Sequence, residues 1–316
     1  MLGLAVGDAM GAPIEFVYKP VRHKLNKHEF MIGMVSNVVS MTANESRQME
    51  PGTWTDDTAQ ALCLAQSLIA SDGKHNPREE MRNYSRWLKD GFMSCDGVAI
   101  GSGRTVREAV GAFLKEEFDY FQGTEGMAGK VGNGSIMRLA PVVISYFCRG
   151  RKMEEMLHAA RGTSLVTHPS PVCSDVVAAM ATVLWRTFSG LDKQEILAPG
   201  GFAYESEIGR VLSQRDWNRI TFKNRSDYVI TNVSINPTGF APKSFEAALW
   251  CFAITDNFVD GMILAINIGA DTDSTGAIYG QIAGSYYGFD QIPSKWLDSL
   301  KKRDLIEGIS KTLSSK

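Results

Sequence analysis

Two short acidic stretches hold the residue types best suited to chemistry. One is Gly52-Thr53-Trp54-Thr55-Asp56-Asp57-Thr58 and the other is Asn267-Ile-Gly-Ala-Asp271-Thr272-Asp273-Ser274-Thr275-Gly276. Asp271 and Asp273 sit two apart, so in turn or extended backbone both carboxylates can face one point, whereas helical spacing splays them. Donor sets made only of carboxylate and hydroxyl oxygens suit a hard divalent cation, Mg2+ or Mn2+ ahead of Zn2+. The plain alternative is two ordinary helix starts. Asp, Ser and Thr cap helices, and an early Asp complements the helix dipole. If the chain gathers Asp56, Asp57, Asp271 and Asp273 at one point, they repel one another unless cations neutralise them. Dinuclear hydrolases hold two such ions about 3.5–4 Å apart.

The elements that must position these residues are helical. Apolar residues recur at three and four spacing through most of the chain, and alternating strand-like stretches are scarce. The predicted fold class is all-α, a single compact multi-helix domain over 1–316 with a dinuclear metal cleft. Gly3, Gly7 and Gly11 fall four apart, as do Gly276, Gly280 and Gly284. Glycine inside a helix costs about 1 kcal/mol against alanine, so two such ridges call for a reason. Close packing of the two helices through their glycine faces supplies one, since small residues let backbones approach. That packing brings Glu15, just past Gly11-Ala-Pro13-Ile, near the start of the late helix. A lone loop glutamate is otherwise usually solvated.

Helices are expected behind Thr55 (an apolar face of Ala61, Leu62, Ala65, Leu68 and Ile69), from Pro77, and over 105–114, 140–147, 153–163 and 172–188. Further helices are expected over 205–212, from a Ser244 cap, and over 258–268, with an amphipathic tail over 294–313. A short strand is expected near 228–234. Residues 20–50 read as a mostly irregular excursion.

Other features are weaker. Gly123–Ser135 holds five glycines but is no Walker A loop, because Val131 follows Lys130. Backbone amides there could cradle a phosphate, and Asn133 could bind a ribose or fix the loop. A flexible connection is the plain alternative. The Gly101-Ser-Gly103 turn is a fainter version of the same idea. His168, between Thr167 and Pro169 ahead of a helix start, suits an anionic ligand, or merely bonds locally. No zinc-type histidine spacing and no cysteine nucleophile pattern stands out.

The 316 residues are 44% hydrophobic and carry a formal charge of −2, so nothing favours nucleic acid. No membrane-length apolar run and no targeting segment is evident. Five scattered cysteines fit a reducing compartment, and the expected location is cytoplasmic.

Taken in order, Leu2-Gly3-x-Ala-x-Gly7-Asp8-Ala9-x-Gly11, Glu15, Trp54-Thr-Asp-Asp-Thr58, Gly132-Asn-Gly134-Ser-x-Met-Arg138, Thr167-His168, Ser244-x-Glu-Ala-Ala-Leu-Trp250 and Gly269-x-Asp-Thr-Asp-Ser-Thr-Gly276 resemble the ADP-ribosylglycohydrolase family. The resemblance spans nearly the whole chain. It implies two divalent cations, Mg2+ or Mn2+, held by Thr55, Asp56, Asp57, Asp271, Asp273 and Ser274, with Asp273 bridging. It implies Glu15 as a glutamate beside the metals. Gly101, Gly132, Asn133, Gly134, Ser135 and His168 are then the substrate-binding positions. Ala99 stands where family members often carry an Asp, with Asp96 the nearest acid.

The implied activity is hydrolysis of the glycosidic bond between ADP-ribose and a modified protein side chain, N-linked arginine foremost. Asp56 or Glu15 would orient the attacking water or take its proton. The implied partner is an ADP-ribosylated protein, a toxin's target or the toxin itself. Two other readings stay open: an ADP-ribose-binding or toxin-neutralising protein acting without turnover, and a dinuclear phosphohydrolase cutting the diphosphate.

Overall fold

The computed structural model describes residues 1–24, 29–115, 131–219, 229–231 and 237–315. Two helices form its axis. α1 (Leu2–Gly11) is buried from Gly3 to Gly11, and α12 (Thr272–Tyr287) from Thr272 to Ala283. A helix covered all round belongs at the centre of a protein.

The two axial helices meet through their glycine ridges, as their spacing predicts. A Cβ on Gly3 would collide with the carbonyl of Gly280, one on Gly7 with Gly276, and one on Gly11 with Thr272. The reverse holds too, since Gly276 and Gly280 abut Gly7 and Gly3. Thr272 Oγ1 adds a hydrogen bond to Gly11 O at 2.8 Å.

Around this pair stand α2 (Asp56–Ala70), α5 (Ala140–Cys148), α7 (Pro171–Phe188), α10 (Ala241–Ile254) and α11 (Phe258–Asn267). Outside them lie α3 (Pro77–Asp90), α4 (Arg104–Leu114), α6 (Met153–Leu165), α8 (Lys193–Ile196), α9 (Glu207–Gln214), α13 (Ser294–Ser299) and α14 (Arg303–Ser314). The outer helices bury one stripe each: Met81, Tyr84 and Trp87 on α3, and Ile306, Ile309 and Leu313 on α14. One continuous hydrophobic cluster runs from α1 to α14 through Trp54, Trp87, Trp250 and Trp296.

Several local expectations need correction. The excursion over 20–50 contains β1 (Val21–Lys24) and β2 (Glu29–Gly33), which pair antiparallel, with Arg22 opposite Ile32. β3 (Val229–Thr231) joins β2, with Phe30 opposite Ile230, giving the sheet order β1-β2-β3. The fold remains a helical one with this small sheet attached. Ser244 does not cap α10. That helix starts three residues earlier with Pro242 in its first turn, and Ser244 Oγ donates to Thr238 O at 2.5 Å. The amphipathic tail over 294–313 forms two helices, α13 and α14, with Lys302 at φ 52° between them. Of Gly123–Ser135, the part up to Lys130 lies outside the described residues.

The ridge contact sets a sharp expectation. Gly7→Val should destabilise by about 3 kcal/mol or more, since the added carbons meet backbone rather than a movable side chain. Gly111→Ala, in the open on α4, should gain up to about 1 kcal/mol. Thermal unfolding followed by circular dichroism compares them, and equal small effects would refute the tight ridge.

Candidate active site

Asp8 is the residue that joins α1 to α2. It sits within the apolar, glycine-spaced run of α1 with no exposure. Its Oδ1 accepts from Thr55 N at 3.0 Å and Thr55 Oγ1 at 2.8 Å. Its Oδ2 accepts from Thr58 N at 3.0 Å and Thr58 Oγ1 at 2.6 Å. Thr55 occupies the N-cap of α2 but makes no side-chain cap of its own. Asp8 does that work from another helix, satisfying amides that would otherwise lack partners. Burial raises its pKa, and the hydrogen bonds from Thr58 and Thr55 oppose the rise.

The start of α12 is set by a strained turn. Gly269 has φ 87° and Ala270 φ 59°, and the latter is uncommon for a residue with a Cβ. Phe16 N donates to Ala270 O at 2.7 Å and Ala270 N to Tyr18 O at 2.8 Å. These bonds tie the segment after Glu15 to the turn before Asp271. Asn267 clamps the next stretch, accepting from Val38 N at 2.8 Å and donating to Val38 O at 2.7 Å.

The two acidic stretches therefore converge. Carboxylate oxygens of Asp8, Asp57 and Asp273 lie within 4.8 Å of one another, and those of Glu15, Asp271 and Asp273 do likewise. Asp273 belongs to both groups. Around them is a cavity of about 220 Å³, lined by Glu15, Asp56, Asp57, Gly101, Gly132, Asn133, Gly134, His168, Asp271, Asp273 and Ser274. Of the residues picked out in the sequence, Thr55 and Ser135 stand behind this lining. Thr55 Oγ1 donates to Asp8, and Ser135 Oγ is buried without a partner. Asp96 takes no part, since it pairs with Lys301 at 3.2 Å on the surface.

Asp56, Asp271, Asp273 and Glu15 each have a directed neighbour. Gln60 Nε2 donates to Asp56 Oδ2 at 3.2 Å, and the main chain of Ser274 donates to Asp273 Oδ1 at 2.8 Å. Asn133 Nδ2 donates to Asp271 Oδ2 at 2.9 Å and to Ser244 Oγ at 3.0 Å, so its amide nitrogen is committed to the protein. Arg47 Nη1 pairs with Glu15 Oε2 at 2.7 Å and also donates to Ala12 O at 3.2 Å. Gly101 packs so closely on Asp56 Oδ1 that a Cβ would clash, and its φ of 84° suits glycine.

The electrostatics are strongly unfavourable to unneutralised charge. Asp56, Asp57 and Asp273 have pKa values raised well above the usual carboxylate range, by burial first and by neighbouring carboxylates second. Glu15 is raised by burial, against the opposing bond from Arg47. Asp57 Oδ1 is buried and accepts no hydrogen bond. Unpaired buried carboxylate oxygen is costly. The donor set, all oxygen and shared about Asp273, fits a hard divalent cation. His168 is different: burial, then the positive charge of Arg138, lowers its pKa to about 3, so the ring is neutral near pH 7.

The sequence model of the ADP-ribosylglycohydrolase family matches residues 1–316. The chain belongs to the ADP-ribosylglycohydrolase family. An ADP-ribosylarginine hydrolase Tri1 from Serratia proteamaculans is 29% identical over 313 residues, covering 99% of this chain and 77% of its own. A Tri1 from Pseudomonas putida is 30% identical, covering 99% and 76%. The ADP-ribosyl-[dinitrogen reductase] glycohydrolase of Rhodospirillum rubrum is 28% identical, covering 95% and 88%. A solved structure described as an ADP-ribosylglycohydrolase-related protein complex superposes with TM-score 0.73 at 32% identity, covering 99% of this chain and 94% of the other. Among the described residues of this family member, no helix is long and apolar enough to cross a membrane.

Sequence reading missed Asp8 as a site residue, although a carboxylate in an apolar glycine-ridged helix was a visible signal. It also missed Gln60, Met137 and Gly239. Gln60 had no signal, because its role depends on a side chain far away in the chain.

The raised carboxylate pKa values predict a pH response with a definite sign. Between the unfolded and the raised folded values the native state holds more protons, so ion-free protein loses stability as pH rises. Its melting temperature should fall from pH 5 to pH 8. Added Mg2+ or Mn2+ should reverse this, by about 2.7 kcal/mol at a hundredfold excess over Kd. Asp273→Asn should melt higher than wild type without cation and lose the cation response. Calorimetry at each pH checks both, and a cation-insensitive wild type would remove the metal reading.

Proposed function

We propose that this chain is a hydrolase dependent on two divalent cations, which releases ADP-ribose from modified protein side chains with N-linked arginine preferred. The observation that carries the reading is the pair of carboxylate groups sharing the buried Asp273, beside Asp57 Oδ1, which has no partner of its own. Family membership supports the ADP-ribose linkage. The Tri1 relatives, named as ADP-ribosylarginine hydrolases, support arginine.

Thr55, Asp56, Asp57, Asp271, Asp273 and Ser274 would hold the cations. Thr55 suits the role because its proton already goes to Asp8, which leaves hydroxyl lone pairs for a cation. When bound, such ions lower the pKa of water and polarise sugar oxygens. The remaining steps belong to the side chains. Asp56 Oδ2 is fixed by Gln60, and Oδ1 is left as a proton acceptor for water. Glu15, held by Arg47 at the rim, is the second candidate base. The carboxylate wall favours positive charge building on the ribose as the glycosidic bond breaks. Gly132 and Gly134 let the His168 ring pack against their turn, since a Cβ on either would meet it. The guanidinium of arginine, always charged, is a leaving group suited to this acidic mouth.

The substrate partner is an ADP-ribosylated protein, the target of a toxin or the toxin itself. None of the five cysteines forms a disulfide, which supports work in a reducing, cytoplasmic setting.

Mass spectrometry of an ADP-ribosylarginine peptide incubated with protein and Mg2+ tests the reading. Free ADP-ribose is the expected product. AMP would indicate a phosphohydrolase, and unchanged peptide a binder. Asp273→Asn should slow release on the order of 1000-fold, the loss of about 4 kcal/mol of cation assistance. Glu15→Ala should lower kcat about 100-fold, the scale of general-base catalysis, with little change in cation affinity measured by titration calorimetry. Equal loss of both would make Glu15 a ligand instead.

A further inference from the structure

Arg138 ends the turn that follows Gly134 and has no exposure at all. Its guanidinium only donates. Nη1 donates to Gln60 Oε1, and Nη2 donates to Thr167 Oγ1 at 2.7 Å and Thr163 O at 3.4 Å. The Tyr84 ring lies 4.6 Å from the guanidinium carbon, and Glu80 Oε1 is 4.0 Å from Nη2. Glu80 is held in turn by Tyr84 Oη at 2.8 Å, Thr163 Oγ1 at 2.5 Å and His75 Nε2 at 2.8 Å. Both Nη atoms of the buried cation are thus paired and their direction is fixed, while its Nε has no partner.

Because Arg138 cannot accept, it dictates what its neighbours present. Gln60 must turn its carbonyl oxygen toward Arg138, which points its amide nitrogen at Asp56 Oδ2, 3.2 Å away. Thr167 Oγ1 accepts from Nη2 and lies 2.8 Å from His168 Nδ1, to which its single proton can go. A neutral imidazole whose Nδ1 accepts carries its proton on Nε2. That nitrogen faces the turn, where a Cβ on Gly132 would come within 3.2 Å of it.

We propose that Arg138 is a positioning residue that sets the Nε2–H tautomer of His168 through Thr167 and the direction of the Asp56 carboxylate through Gln60. One buried cation then fixes hydrogen-bond polarity on both walls of the cleft. The ligand feature matched by His168 is an oxygen that only accepts, as on the diphosphate of ADP-ribose. The other tautomer would turn a lone pair toward that oxygen. This rests on the ADP-ribose reading of the cleft, but its first test does not.

The test uses the full chain labelled with 15N-histidine. Long-range 1H–15N spectra assign the tautomer of His168 directly. Wild type should show a protonated Nε2 and an unprotonated Nδ1. Thr167→Val should lose that preference, and Thr167→Ser should restore it. Gln60→Leu should leave the tautomer unchanged and lower kcat rather than raise KM. ADP-ribose should bind about tenfold more weakly to Thr167→Val, with recovery in Thr167→Ser. A wild-type ring protonated on Nδ1 overturns the proposal even if every variant fails to fold. So does a folded Thr167→Val that keeps both tautomer and affinity. If the tautomer behaves as stated but no linkage is hydrolysed, the functional reading fails and the Arg138 assignment stands.

Discussion

Main chain against main chain, with only hydrogen between, is the contact on which this molecule depends. α1 and α12 touch along three glycines each, and every added Cβ at the inner positions would strike a carbonyl. The approach places Asp8 where it reaches two amides of α2 at 3.0 Å. It also sets the beginning of α12 against the end of α1, so Asp271 to Ser274 face Asp57. A few tenths of an ångström of separation would break both arrangements together. Two acidic stretches remote in the chain share one cavity because two helices share one axis.

That geometry brings a conflict between folding and activity. Carboxylates from three helix regions are buried beside one another, and burial lifts the pKa of most of them. Helix N-termini at Asp56 and Thr272 supply partial positive charge, which offsets some of the repulsion. The rest is repulsion that a hard cation could relieve. Protein groups hold the cluster in place without neutralising it: Asn133 on Asp271, Gln60 on Asp56, and Asp8 on the α2 amides. Arg47 brings opposite charge to Glu15 at the rim. Functional sites commonly trade stability for chemistry in this way.

Much of this was legible in advance, for identifiable reasons. Four-residue glycine spacing has one good structural use in a soluble helix, so the α1–α12 contact could be read directly. Helices at 105–114, 140–147 and 258–268 matched to within a residue or two because their apolar stripes are long. The proposed ligand set rests on family resemblance and not on spacing. What escaped was non-local. Met31 pairs with Val229, and no local pattern announces a partner that remote. Ser244 looks like a cap by type, yet Pro242 already opens α10, and the hydroxyl turns to Thr238 instead. Asp8 looked like an interruption of an apolar run, and Arg138 like one more motif letter. Both are buried polar hubs whose partners lie tens of residues away.

The Asp8 cap also has a kinetic meaning. The first turn of α2 receives its acceptor only when α1 has docked, and Gly11 bonds Thr272 across 261 positions of chain. Bringing such distant segments together carries a loop-closure cost that local helices do not face. The outer helices can therefore form early, while the cleft is among the last regions to acquire its native arrangement. Until that docking occurs the aspartates remain apart and hydrated. Their mutual repulsion arises only at the closing step, where a captured ion can tip the balance toward the native side.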